Sequence, residues 1–196
     1  MSGQELNLII QKAAAGDRDA FARLLELYEK QVYHHALRMV GNAEDAADVT
    51  QECFLKVWQG LPSFHGDSAF STWLFRLTDN ACIDLIRREK KRRGELSLDG
   101  EEQDYSAALA DPAPTPQQAL EQKELHRAVR EGLAALSEEH RRVLILRELD
   151  GLSYEEIGDI LGLTPGTVKS RIARARLALA KFLRKKGNFS GFDASI

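Results

Sequence analysis

The sequence predicts an all-α protein of two small helical domains joined by a flexible acidic linker, and three observations carry that expectation. Apolar residues recur at three-to-four spacing along most of the chain, with few β-branched clusters that would favour strands. The pattern lapses once, across residues 94–119, where Pro112, Pro114 and Pro116 fall within "DPAPTPQQ". Charge is segregated: a net charge of −3 conceals six basic residues in "RREKKRR", eight between Lys169 and Lys186, and an acidic stretch between these two runs.

The 196 residues, 43% of them apolar, suffice for two small cores. The first domain spans residues 1–93. In it, "GNAEDAADVTQECFLKVWQGL" opens on Asn42, a good helix cap, with acids in the first turn. Asp45, Asp48 and Glu52 then share one face, next to an apolar stripe of Val49, Cys53 and Val57. An acidic face on a chain with two basic segments suits a protein partner, although a merely solvated face fits these residues equally well.

Next comes "FHGDSAFSTWLFRLTDN", a short polar loop around Gly66 running into a helix that ends in "RREKKRR". Phe70, Trp73, Leu74, Leu77, Ala81 and Leu85 line one side of that helix, so its aromatics belong to the core. A polar loop ahead of a basic helix suits single-stranded nucleic acid, with cations on phosphates and an extruded base held at the loop.

After the linker, the second domain spans 120–186, followed by a flexible tail at 187–196. Ser153 and Glu156 make a capping box, with Ile157, Ile160 and Leu161 inward. "LGLT" ends that helix, Thr164 caps the next, and Pro165 suits its first turn. Two short helices about a tight glycine-containing turn form a helix-turn-helix. The second helix buries Val168, Ile172, Ala175 and Leu179 and turns Thr167, Lys169, Ser170, Arg171 and Arg174 outward, a set able to bond base edges and phosphates in a major groove.

Several classes are disfavoured. Cys53 and Cys82 have no second Cys or His at ligand spacing, so neither a metal nor a disulfide is expected. No run of eighteen apolar residues and no basic-then-apolar leader occurs, so membrane insertion is not expected and a cytoplasmic location is. His34 and His35 are adjacent and point apart on a helix, and no nucleophile–base set or phosphate loop stands out. Neither an enzyme nor a cofactor is expected.

Together, "GDRDAFARLLELYEKQVYHHALRMVGNAEDAADVTQECFLKVW", "FHGDSAFSTWLFRLTDNACIDLIRREKKRR" and "LRELDGLSYEEIGDILGLTPGTVKSRIARAR" resemble, in order, three segments of the extracytoplasmic-function sigma factors, the smallest group of the bacterial sigma-70 family. The resemblance implies a region 2 domain and a region 4 helix-turn-helix domain in a protein that binds core RNA polymerase and directs promoter recognition, melting and transcription initiation. It assigns Asp45, Asp48, Gln51 and Glu52 to docking on the clamp coiled coil, with region 4 meeting the flap. For the −10 element, duplex first and then melted non-template strand, it implicates His65, Gly66, Asp67, Ser68, Ala69, Ser71, Arg76, Asn80, Arg87, Arg88, Lys90 and Lys91. The −35 element falls to Thr167, Lys169, Ser170, Arg171 and Arg174. It further implies regulation by an anti-sigma factor. His65 stands where many members carry Arg, which implies a weaker, proton-dependent contact there. The competing reading is a dimeric helix-turn-helix regulator that binds duplex operator DNA without core polymerase.

Overall fold

The computed structural model describes residues 2–66, 68–95 and 116–186. Asp67, the acidic stretch of the linker and the 187–196 tail lie outside the described residues. The chain folds as two compact units, Met1–Asp99 and Gly100–Ile196, and the described residues form helices and turns without strands.

In the first unit, α1 (Gly3–Ala14) starts where Ser2 Oγ accepts the Glu5 N–H at 3.2 Å. The Asp17 carboxylate accepts the N–H groups of Asp19 and Ala20, each at 3.0 Å, and so starts α2 (Arg18–Val40). These caps occupy donors that a helix start leaves without intrahelical partners. Next come α3 (Ala43–Gly60), a 3₁₀ turn over Leu61–Ser63 and α4 (Phe70–Glu95). Their inner faces supply Ile9, Ile10, Leu24, Val32, Cys53, Phe54, Val57, Leu61 and Leu74 to one core. The Cys53 sulfur lies 3.1 Å from the Thr78 hydroxyl, and burial pushes its thiol up to about 11. Such a thiol stays protonated and unreactive near neutral pH.

Phe70, expected in the core, is buried there. Trp73 is partly buried, with its ring 5.1 Å from Phe64 and 5.8 Å from Phe70, centroid to centroid. Tyr28 meets Phe70 edge-on at 5.3 Å. The aromatic rings thus pack on one another in edge-on and tilted contacts. Trp73→Ala should cost about 2 kcal/mol, below the value for a fully buried ring because part of it already contacts water. Chemical denaturation followed through Trp58 tests this, and an unchanged midpoint would refute the packing role.

The second unit holds α5 (Pro116–Ala135), α6 (Glu138–Leu144) running into one π turn (Ile145–Leu149), α7 (Tyr154–Leu161) and α8 (Pro165–Lys185). Arg141 closes α5, donating from Nε to the Leu133 carbonyl at 3.0 Å and from Nη2 to that of Ala134 at 2.8 Å. Those are last-turn carbonyls without helical partners. Val143, Leu144, Ile145, Leu146, Ile157, Ile160, Val168, Ile172, Ala175 and Leu183 form the core.

Two helix bounds differ from the sequence expectation. Helix α4 continues through Glu95, beyond 93, and α5 begins at Pro116 instead of near 120. Proline interrupts a helix interior but fits its first turn, so Pro116 can open the helix.

Candidate nucleic-acid interface

On α3 the four residues expected to meet a protein divide into two kinds. Asn42 Oδ1 accepts the Asp45 N–H at 2.8 Å, and its amide donates to the Asp45 carboxylate, turning Asp45 back onto the cap. Glu52 receives Lys56 at 2.7 Å and Arg88 of α4 at 3.7 Å. Asp48 and Gln51 are exposed. The outermost line of α3 is therefore Glu44, Asp48, Gln51 and Leu55, all exposed. The sequence reading missed Glu44 and Leu55. Their signal was the complement of the buried stripe Ala46, Val49, Cys53 and Val57.

Among the residues expected to meet the −10 strand, His65, Gly66 and Ala69 are exposed, and Ser68 and Ser71 are half-exposed. Gly66 has φ of 79°, a left-handed conformation that disfavours any side chain. Ser63 Oγ donates to the Gly60 carbonyl at 2.8 Å and closes the 3₁₀ turn ahead of this loop. On α4, Arg76, Asn80, Arg87, Arg88, Lys90 and Lys91 are exposed. Helical spacing puts Arg76, Asn80, Arg87 and Lys91 on one face, with Asp84 as an acid among them. Arg88 instead turns toward Glu52, so the acidic and basic faces meet at that pair.

Behind this face lies a contact the sequence reading missed. His35 Nε2 of α2 stands 3.7 Å from Asp79 Oδ1 of α4, and both side chains are fully buried. Phe75 meets the imidazole edge-on at 5.4 Å. Asp79 directly precedes Asn80 of the basic face along α4.

In the second unit, Ser153 Oγ accepts the Glu156 N–H at 3.1 Å while the Glu156 carboxylate accepts the Ser153 N–H at 2.8 Å, completing the expected capping box. Thr164 Oγ1 accepts the Thr167 N–H at 3.3 Å, and Pro165 occupies the first turn of α8. The loop before α7 is held by Arg147, which donates to the Leu152 carbonyl at 2.8 Å and lies 4.8 Å over the Tyr154 ring.

Val168, Ile172 and Ala175 face inward, as expected, and Lys169 and Arg174 are exposed. Neither makes an ion pair among the described residues. Thr167 and Ser170 are half-exposed, and Ser170 Oγ donates to the Thr167 carbonyl at 2.9 Å. Arg171 is drawn to Glu139 of α6 at 3.5 Å, and Arg176 forks onto Glu148 at 2.7 and 3.0 Å. Both pairs tie α8 to the helix behind it. Arg174 and Lys169 thus point away with their charges open to a polyanion.

Among the described residues no cluster of three His, Cys, Asp or Glu could hold a metal ion. No described helix is long and apolar enough to cross a membrane.

Residues 24–92 match the family model for sigma-70 region 2, and residues 126–179 match that for sigma-70 region 4. The chain is 38% identical to the ECF RNA polymerase sigma factor SigW of Bacillus subtilis over 89% of its own length and 95% of that protein's. It is 36% identical to the ECF RNA polymerase sigma-E factor of Escherichia coli, covering 88% and 91%. Among solved structures it is similar to the sigma factor RpoE in complex with the anti-sigma factor NepR from Bartonella quintana, with a TM-score of 0.65, 26% identity, and 84% and 96% of the two chains covered. CnrH in complex with the cytosolic domain of CnrY gives a TM-score of 0.67 and 28% identity, covering 91% and 96%.

Proposed function

Because the chain belongs to the extracytoplasmic-function sigma factors of the sigma-70 family, we infer that it is a dissociable specificity subunit that binds core RNA polymerase and directs promoter recognition, melting and initiation. The family's work is recognition, without covalent chemistry of its own. We assign no enzymatic step and no cofactor to this chain. The alternative of a regulator acting on duplex operators without polymerase finds no support in its relatives.

The observation that carries the residue-level reading is the division of surface within the first unit: an exposed acidic line on α3 and an exposed basic face on α4. Asp48 and Gln51, with Asp45 and Glu52 at the flank, meet the polymerase clamp. Acids there speed encounter with a basic surface, and salt weakens that steering. His65 to Ser71 receive a base of the melted −10 strand, while Arg76, Arg87, Lys90 and Lys91 follow its phosphates and Asn80 offers both a donor and an acceptor. The aromatics behind the loop support it instead of stacking on the base. Helix α8 enters the −35 major groove with Lys169 and Arg174 foremost, Thr167 and Ser170 assisting, and Arg171 held back by Glu139. Region 4 also meets the flap. Both structural relatives described above were solved with a bound partner, one of them named an anti-sigma factor. An anti-sigma factor is accordingly expected to hold this chain as well, and cytoplasmic action follows from such a role.

Run-off transcription with core polymerase over a promoter library tests the whole reading, and absence of chain-dependent initiation across that library would refute it. On a responsive promoter, Arg174→Ala should reduce initiation by about tenfold through loss of a base or phosphate contact. Equal activity of this variant at limiting chain concentration would remove Arg174 from the interface.

A further inference from the structure

We propose that Leu55 is the apolar anchor of the polymerase-docking face, seated in a hole of a basic helical surface, while the neighbouring acids govern approach. The proposal rests on the clamp-docking reading above and assigns the binding energy within it. Leu55 is 58% exposed, although Val49, Cys53, Phe54 and Val57 on the same helix are buried. A single exposed leucine is ordinary on any protein surface. Its position is what separates it from that background.

Glu44, Asp48, Gln51 and Leu55 follow one another at spacings of four, three and four on the outer line of α3. That spacing sets the four side chains on one line along α3, so a single facing helix would meet them together. Leu55 supplies the apolar knob, and it continues the line that the docking reading already occupies. Neither Glu44 nor Asp48 is engaged in an ion pair among the described residues, whereas Glu52 one turn away is taken by Lys56 and Arg88. The open side of α3 thus presents two unneutralised acids, an amide and a leucine. Its complement is a helical surface with basic groups around an apolar depression.

A division of labour follows. Desolvated anchors at the centre of an interface set how long it lasts, while peripheral charges set how fast it forms. The full-length chain, Leu55→Ala, Leu55→Met and Asp48→Asn should be measured for association and dissociation with purified core polymerase at several salt concentrations. Leu55→Ala should dissociate about tenfold faster with its salt dependence unchanged, and Leu55→Met should restore slow dissociation. Asp48→Asn should instead slow association and flatten the salt dependence. Thermal midpoints of all variants should match the parent, since neither side chain belongs to the core.

Parent-like dissociation of Leu55→Ala alongside an altered Asp48→Asn would overturn the anchor while leaving the docking face standing. Parent-like behaviour of both variants would remove the docking face itself, and the anchor with it. Loss of binding in Leu55→Ala that Leu55→Met fails to restore would also overturn the proposal, because methionine fills a similar volume.

Discussion

Asp79→Ala is expected to lower the stability of the first unit by about 3 kcal/mol, because it leaves a buried imidazole facing a cavity where a carboxylate stood. The two groups are 3.7 Å apart and share no surface with water. Removing one partner from such a pair costs more than the pair contributes, since the remaining polar group keeps its desolvation penalty and loses the charge that stood opposite it. Asp79→Asn, which preserves shape and hydrogen-bonding capacity, should cost less. Both tryptophans of the chain, Trp58 and Trp73, lie in this unit, so urea denaturation followed by their fluorescence reads it selectively. An unchanged midpoint for Asp79→Ala would mean that water or a neighbouring group compensates fully. A functional effect should accompany the loss: α4 is anchored by Asp79 immediately beside Asn80, so promoter melting should fail at a lower temperature than in the parent.

Gly158→Val should destabilise the second unit by about 3 kcal/mol and abolish −35 recognition. A Cβ at Gly158 would stand 2.7 Å from the Leu163 carbonyl oxygen, a backbone atom that cannot swing aside. The Leu163 N–H also donates to the Gly158 carbonyl at 2.9 Å, so this approach closes the turn between α7 and α8. A branched side chain must push the two helices apart, and with it goes the spacing on which the proposed entry of α8 into a groove depends. The expected signature is an earlier second-unit transition by circular dichroism, with the tryptophan transition unaltered. Specific duplex binding equal to the parent's would show that the turn can absorb the branch.

The helix starts were legible because capping is local chemistry. Asn42, Ser153 with Glu156, and Thr164 with Pro165 each act within about one turn, and each is found capping the helix expected of it. The inward stripes were legible for the same reason, since periodicity is a property of neighbouring positions. Pro116 was misread because three prolines together look like a linker, although the last of them can begin a helix. The condition of the candidate site residues was less legible. Asp45, Glu52, Arg88 and Arg171 are all charged and all on plausible faces, yet each is engaged by another side chain of the protein. Asp48, Lys169 and Arg174 are exposed and make no such pair among the described residues.

By itself the sequence determined the all-helical class, the two modules, the capping of the helix-turn-helix and the family, because these rest on spacing and order along the chain. Only the tertiary structure decided which charges remain open to a partner, that His35 and Asp79 meet in the core, and that Leu55 stands outside it. Those outcomes depend on groups distant in sequence being brought within a few ångströms, and the strength of a charge or an apolar surface is set by what surrounds it in space.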